Sequence, residues 1–313
     1  MNDSELIRFY ANNDAIRVDA GLLEDLPAFL QPSPQLAACW EIPPDQASLP
    51  LQASISADVF QLDSAIKDQL PNKIDTGLAE ANFVVRLNAL KQNKSEWRAE
   101  LKLANYFDSA RCNFAMETIM DDGNSLRQKL HRAQQSVGSI ESNPLVNHIG
   151  VVGMVQTFDE RWIIPQRSGK VLNRQRTSSA SVSGAVSPVD LGSPQDLEDG
   201  YLDLHQALSH AVRREAHEEL GIPLSHVQLL GILREYHRGG KPEAYFVART
   251  PLNFDRVVQR HLEAGDAGEN SRLLSWPEAS STPTLVENAL SSSAPANFTL
   301  RAGLALALAA LRE

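Results

Sequence analysis

Cysteine is scarce: Cys39 and Cys112 are the only two, and they stand in no CxxC or zinc-type spacing. That excludes a disulfide framework as the source of stability and suits a reducing compartment. Aromatic residues are few, at 6%. The longest apolar run, residues 302–311 (AGLALALAAL), is about half the roughly 20 residues a membrane-spanning helix needs. The opening MNDSELIRFY is acidic rather than basic and then apolar. No secretory leader is read there, and a cytoplasmic location away from membranes is the expectation. Bases are outnumbered, 29 Lys and Arg against 39 Asp and Glu, for a net charge of −10. Bulk affinity for nucleic acid comes from clustered Lys and Arg. A nucleic-acid partner is therefore not expected, whereas one local basic pocket for a phosphorylated small molecule is compatible with this balance.

What is present is ample core material. Hydrophobic residues make up 42% of 313, a length for which two domains are the default. The first 60 residues hold nine acids and two bases and read as short helices and turns wrapped around something else, their charge a solvated face. Residues 82–90 (NFVVRLNAL) and 97–106 (WRAELKLANY) alternate apolar and polar positions around a five-residue polar turn, the pattern of a hairpin. Residues 116–134 carry helical spacing broken at Asp121-Asp122-Gly123. A boundary is placed in the polar stretch 135–143, separating an α+β domain over 1–140 from a second domain over 146–313.

In that second part strand and helix patterns alternate. Strands are expected at 146–157, 161–165, 181–186, 227–235, 243–249 and 272–275, the last at a sheet edge. Helices are expected at 202–220, 254–263 and 298–311. Such alternation argues for an α/β sandwich.

One segment carries chemistry: Arg214-Glu215-Ala216-His217-Glu218-Glu219-Leu220-Gly221-Ile222. On a helix, Glu215, Glu218 and Glu219 are related by i, i+3 and i+4, so three carboxylates share a face and repel one another. A hard divalent cation relieves that repulsion, because Mg²⁺ takes oxygen ligands and completes its shell with waters and substrate phosphates. Arg214 can brace the acids through a bidentate pair. Glutamates on one helix face usually mean only a solvated surface. Here the Arg, the glycine stop and the two apolar positions are fixed as well, and at average composition that joint pattern arises by chance on the order of 10⁻⁵ times in such a chain.

REAHEELGI resembles the core of the Nudix box, Gly-x5-Glu-x7-Arg-Glu-U-x-Glu-Glu-x-Gly-U with U apolar. The resemblance implies a Nudix α/β/α sandwich with a mixed sheet over 146–313. It also implies metal-dependent hydrolysis of a nucleoside diphosphate linked to another moiety, with Mg²⁺ or Mn²⁺ held by Glu215, Glu218 and Glu219. Counting back, Gly200 takes the opening glycine position, and Gln206 stands where the family has its first glutamate. A better match for the strand-then-glycine entry is Ser183-Gly184-Ala185-Val186-Ser187-Pro188, with 189–199 as an insertion. Gly184 then supplies the backbone carbonyl ligand that family members give the metal. A later loop acid often completes such sites; Asp266 and Glu269 are the candidates, Glu269 the favoured one.

A second resemblance spans more of the chain. The segment 101–113, with its Tyr106-x-Asp108-x4-Asn113 pattern, is similar to a segment of the Nudix UDP-sugar diphosphatases, as are 230–232, 243–247 and 268–271. It implies cleavage of UDP-glucose or UDP-galactose to UMP and sugar 1-phosphate. Tyr106 and Asn113 would contact the substrate. Independently of that resemblance, Arg167, Lys170, Arg174 and Arg176 form a short basic stretch that reads either as a solvated loop or as a phosphate contact, with Arg167 the candidate. An ADP-ribose or dinucleotide pyrophosphatase and a non-catalytic Nudix ligand-sensing module stay open as alternatives. His148, His210, His217, His226 and His261 show no metal spacing and read as structural or surface residues.

Overall fold

Alternation along a few strands sets the architecture of the computed structural model, which describes residues 1–22, 24, 31, 33–70, 82–168, 177–192, 200–266, 268, 270–276 and 295–312. In chain order the elements are α1 (Asp3–Phe9), β1 (Ile16–Arg17), β2 (Gln35–Leu36), β3 (Ala38–Ile42), β4 (Leu51–Val59), α2 (Ser64–Lys67), β5 (Phe83–Asn93), β6 (Glu96–Asn105), α3 (Tyr106–Cys112) and α4 (Leu126–His131). There follow β7 (Gly150–Gln156), β8 (Trp162–Arg167), β9 (Val182–Ala185), β10 (Leu202–Asp203), α5 (Leu204–Leu220), β11 (His226–Glu235), β12 (Lys241–Arg249), α6 (Phe254–His261), β13 (Asn270–Trp276) and α7 (Phe298–Arg312).

The larger sheet runs β13-β8-β7-β12-β11-β3, with β9 also on β7. It is mixed: β12 lies parallel to β7, and the other pairs are antiparallel. Val151 and Val155 of β7, with Ala244 and Phe246 of β12, join a core cluster with Leu208, Val212 and Ala216 of α5. Their neighbours Val152, Met154, Tyr245 and Val247 join the cluster of Leu300 and Leu304 on α7 and Leu6 on α1. A period of two thus divides each central strand between two helical layers, the α/β/α sandwich expected for this half.

The first 60 residues are not short helices and turns alone, as expected: they supply β3 to the edge of the larger sheet and β4 to a four-stranded sheet in the order β10-β4-β6-β5, in which β5 and β6 come from the expected hairpin. Leu51-Gln52-Ala53-Ser54-Ile55 alternates strictly, but with small Ala and Ser in the repeat the hydrophobic contrast is weak. The segments on the two sides of residue 140 share both sheets, through β3 in one and β10 in the other. Val137, Ile140 and Asn143 of the polar stretch 135–143 are buried. The expected hairpin forms, with Asn93 paired to Glu96 and only Lys94 and Ser95 between. The helical spacing over 116–134 is interrupted at the expected Asp121-Asp122-Gly123 break, where Gly123 has φ +79°, and the helix after it is α4. Among the described residues no helix is long and apolar enough to cross a membrane.

Candidate active site on the carboxylate helix

α5 is the most strongly specified element. Leu204, Ala207, Leu208, Ala211, Val212 and Ala216 bury one stripe, and the Asp203 side chain accepts the N–H of Gln206 as N-cap. The helix stops at Gly221, in the left-handed conformation at φ +68°, with Gly221 N–H bonded to His217 O and Ile222 N–H to Ala216 O. That paired closure favours glycine. Two further carbonyls of the last turn are taken from outside: Asp266 N–H donates to Glu218 O at 3.0 Å, and His261 Nδ1 lies 2.8 Å from Glu219 O.

On this frame Arg214 gathers the acids. Its Nε and Nη2 donate to the two carboxylate oxygens of Asp190 at 2.9 and 3.0 Å. Nη1 donates to Glu218 at 2.7 Å and lies 2.9 Å from Glu215 Oε1, and Nη2 also reaches Ala185 O at 3.0 Å. Burial alone would lower the Arg214 pKa, but hydrogen bonds and charge from Asp190, Glu215 and Glu218 hold it above its ordinary value. Burial pushes the Glu215 carboxyl up to about 7; Arg214 opposes this, while Glu218 and Asp190 add to it.

Glu215 is seated on Gly184 of β9. A Cβ built on Gly184 would fall 1.9 Å from Glu215 Cδ, so the absence of a side chain is what lets the carboxylate meet this strand. A Gly184→Ala substitution should displace Glu215. Because the displaced group is the end of a side chain, the backbone should survive: activity falls about 100-fold while the melting temperature shifts little, as steady-state kinetics and thermal melting would show.

Glu218 is partly exposed and Glu219 is buried, at 4% exposure. Among the described residues no three His, Cys, Asp or Glu side chains form a ready metal cage. Mg²⁺ does not require one, since it commonly takes one or two carboxylates and fills its shell with waters and phosphates. The donor set, hard oxygens on one helix face beside a bare glycine backbone, fits that ion. Asp266 adjoins the end of α5 through its backbone; Glu269, Lys170, Arg174 and Arg176 lie outside the described residues, as does part of the 189–199 insertion. Gln206 is exposed.

Beside the carboxylate helix lies a cleft. β8 pairs with β7 only at Gln156–Trp162, and β9 replaces it along Gly150–Gly153. Gly184, Tyr106 and Arg167 line the cleft, together with Phe114, His148, Arg238, Lys241 and Glu243. Asn113 does not line it. That residue is buried, donating to Asn147 Oδ1 at 3.0 Å and Arg238 O at 2.9 Å and accepting from Asn147 N–H at 2.9 Å. One wall is ionic: Glu243 Oε1 accepts from both Arg238 and Lys241 at 2.6 Å, and Arg238 Nε lies 3.5 Å from Glu235. Burial pulls Lys241 down to about 8 against the pull of Glu243.

Sequence reasoning missed Asp190, Phe114 and this ionic wall. The available signal was the charges Glu235, Arg238, Lys241 and Glu243 flanking Gly239-Gly240 between two apolar strands.

His148, read from sequence as structural or surface, is fully buried in the cleft wall, Nδ1 2.6 Å from Ser109 Oγ. Burial, with Lys241 and Arg238 adding, holds its pKa well below 6.5; burial also lowers His131, to about 4. The unfolded chain takes up these protons near pH 6.5 and the folded chain does not. This contribution to stability is therefore present above about pH 6.5 and lost as pH falls below it. Melting from pH 8 to 5 should show that decline, made shallower but not abolished by His148→Gln.

No protein-family model and no curated protein matches the sequence. Solved structures that resemble the fold include DR0079 of Deinococcus radiodurans, 18% identical, covering 50% of this chain and 80% of that one at a TM-score of 0.30. The Bacillus subtilis pyrophosphohydrolase BsRppH is 15% identical, covering 53% and 82% at 0.32. Tm1382, a candidate Nudix hydrolase, is 13% identical, covering 51% and 70% at 0.30. These likenesses are distant; the carboxylate helix and the cleft are features of this chain's own residues.

Proposed function

We propose that this chain hydrolyses the pyrophosphate bond of a nucleoside diphosphate linked to another moiety, with a UDP-sugar as leading substrate, giving UMP and sugar 1-phosphate. The observation that carries the reading is Glu215 seated on side-chain-free Gly184 and bridged by Arg214 to Glu218, at the rim of a cleft that small molecules can enter. Glu215, Glu218, Glu219 and the Gly184 carbonyl would hold Mg²⁺, or Mn²⁺, which when bound neutralises phosphoryl oxygens and acidifies water. Arg214 keeps Glu215 and Glu218 in position. In this reading Glu269 takes the proton of the attacking water, whose oxygen bonds to phosphorus as the bridging P–O bond breaks and the second phosphate leaves. Tyr106 and Arg167 contact the substrate from the cleft, and Asn113 holds the Arg238 segment behind it.

Incubating the protein and Mg²⁺ with UDP-glucose, ADP-ribose, NADH and diadenosine polyphosphates, then identifying products, tests this. UMP with glucose 1-phosphate supports it. AMP-containing products would move the substrate class to the adenine dinucleotides. Thermal shift without turnover of any compound would leave a ligand-sensing module.

A further inference from the structure

We infer that the cleft between the ring trio Tyr106, Phe114 and His148 and the ionic wall of Lys241 and Glu243 is a subsite for a single-ring nucleobase; this rests on the proposed reading of the chain as a nucleoside-diphosphate hydrolase. Size is the first reason. The cleft holds about 110 Å³, of the order of the ~150 Å³ cavity that takes one benzene, so its inner part suits a single ring.

Surface chemistry is the second. Ring centroids of Tyr106, Phe114 and His148 lie 5.5–6.1 Å apart in tilted and edge-on arrangements, and the Arg238 guanidinium covers Phe114 at 4.6 Å. Aromatic and guanidinium planes of this kind are the surfaces on which bases stack.

The placing of charge is the third. Lys241 and Arg238 are both held by Glu243, whereas Arg167 lines the cleft beside Ser183 and Gly184, its Nη1 3.5 Å from Ser183 Oγ, at the end that adjoins the Glu215 seat. The ionic wall offers a donor beside an acceptor: an ammonium with three N–H groups, one of them given to Glu243, and the carboxylate itself. A neutral ring presenting a carbonyl next to an N–H matches that pair, while a phosphate placed there would meet the Glu243 carboxylate. Gly150 keeps the acceptor in the wall, since a Cβ there would fall 1.8 Å from Glu243 Oε2. Finally, Gly184 belongs both to this cleft and to the Glu215 seat, so one nucleotide can place its ring in the first and its phosphates at the second.

The test is an NMR titration of the isotope-labelled full chain with uridine, adenosine and glucose 1-phosphate, all without Mg²⁺. Uridine should shift the amides of Tyr106, Phe114, Lys241 and Glu243, and Phe114→Leu should weaken uridine and UMP binding about tenfold without changing glucose 1-phosphate binding. The inference is overturned if glucose 1-phosphate moves those amides and uridine does not, or if adenosine occupies the cleft as tightly as uridine. The wild-type titration alone decides should Phe114→Leu fail to fold. Uridine carries no phosphate, so binding is independent of turnover. A chain that binds uridine here and hydrolyses nothing refutes the proposed activity and keeps the subsite. One that cleaves UDP-glucose with uridine absent from the cleft refutes the subsite alone.

Discussion

Replacing Glu215 by Gln is expected to lower kcat about 1,000-fold, roughly 4 kcal/mol of transition-state stabilisation, and to leave the melting temperature unchanged or raise it. The two halves of this prediction have one cause. Burial already disfavours the charge on Glu215, whose carboxyl sits at about 7, so a neutral isostere removes a desolvation penalty rather than a stabilising group. The same charge is the one a hard cation would need at the Gly184 seat. A group whose loss is neutral or favourable for folding and severe for turnover is held for chemistry. Glu218 is more exposed and shares only Arg214 with its neighbour, so Glu218→Gln should cost less. Steady-state kinetics with saturating Mg²⁺ and melting of both variants check this. A Glu215→Gln enzyme retaining most of its turnover, correctly folded, would remove the carboxylate helix from the mechanism.

What could be read from the sequence follows from where the information resides. α5 was legible because everything that specifies it is local: the apolar stripe, the Asp203 cap, the Gly221 stop and the spacing of Glu215, Glu218 and Glu219. β7, β11 and β12 were legible as dense apolar runs between turn residues. β4 was not, because its repeat uses small residues. The break at Asp121-Asp122-Gly123 within 116–134 was legible too, since glycine is the residue that takes the left-handed turn found there. The cleft was half legible. Tyr106 carried a resemblance and Arg167 stood in a basic stretch, whereas Phe114 meets Arg238 across 124 positions of chain and no local pattern announces such a pair. Asn113 was marked by the same resemblance, yet its amide is spent on Asn147 and the Arg238 carbonyl. Asp190 lay in what read as a plain loop, since its role exists only once the chain folds back onto α5.

Asp190→Ala is expected to cost about 3 kcal/mol of stability, as losing one partner of a buried pair does, and to lower turnover or Mg²⁺ affinity by a further 10- to 100-fold through Arg214. Asp190 is 2% exposed at its side chain and takes four hydrogen bonds, two from Arg214 and two from the N–H and Oγ of Ser187. Among the described residues it is the carboxylate that takes two nitrogens of the guanidinium, Nε and Nη2, leaving Nη1 for Glu215 and Glu218. Gln206, at the position where the Nudix box has its first glutamate, is exposed on the first turn of α5 and has its N–H on Asp203. Asp190 thus provides from the start of the insertion a support for Arg214 that Gln206 does not. Three measurements separate positioning from mere stability. Arg214→Lys keeps the charge but loses the fork, and should reproduce the catalytic loss. Asp190→Ala combined with Arg214→Ala should be no worse than Arg214→Ala alone, because both remove one coupled unit. Gln206→Glu should change neither melting nor turnover. Additive losses in the double variant, or a gain from Gln206→Glu, would show that Arg214 is braced from elsewhere and that Asp190 serves the loop alone.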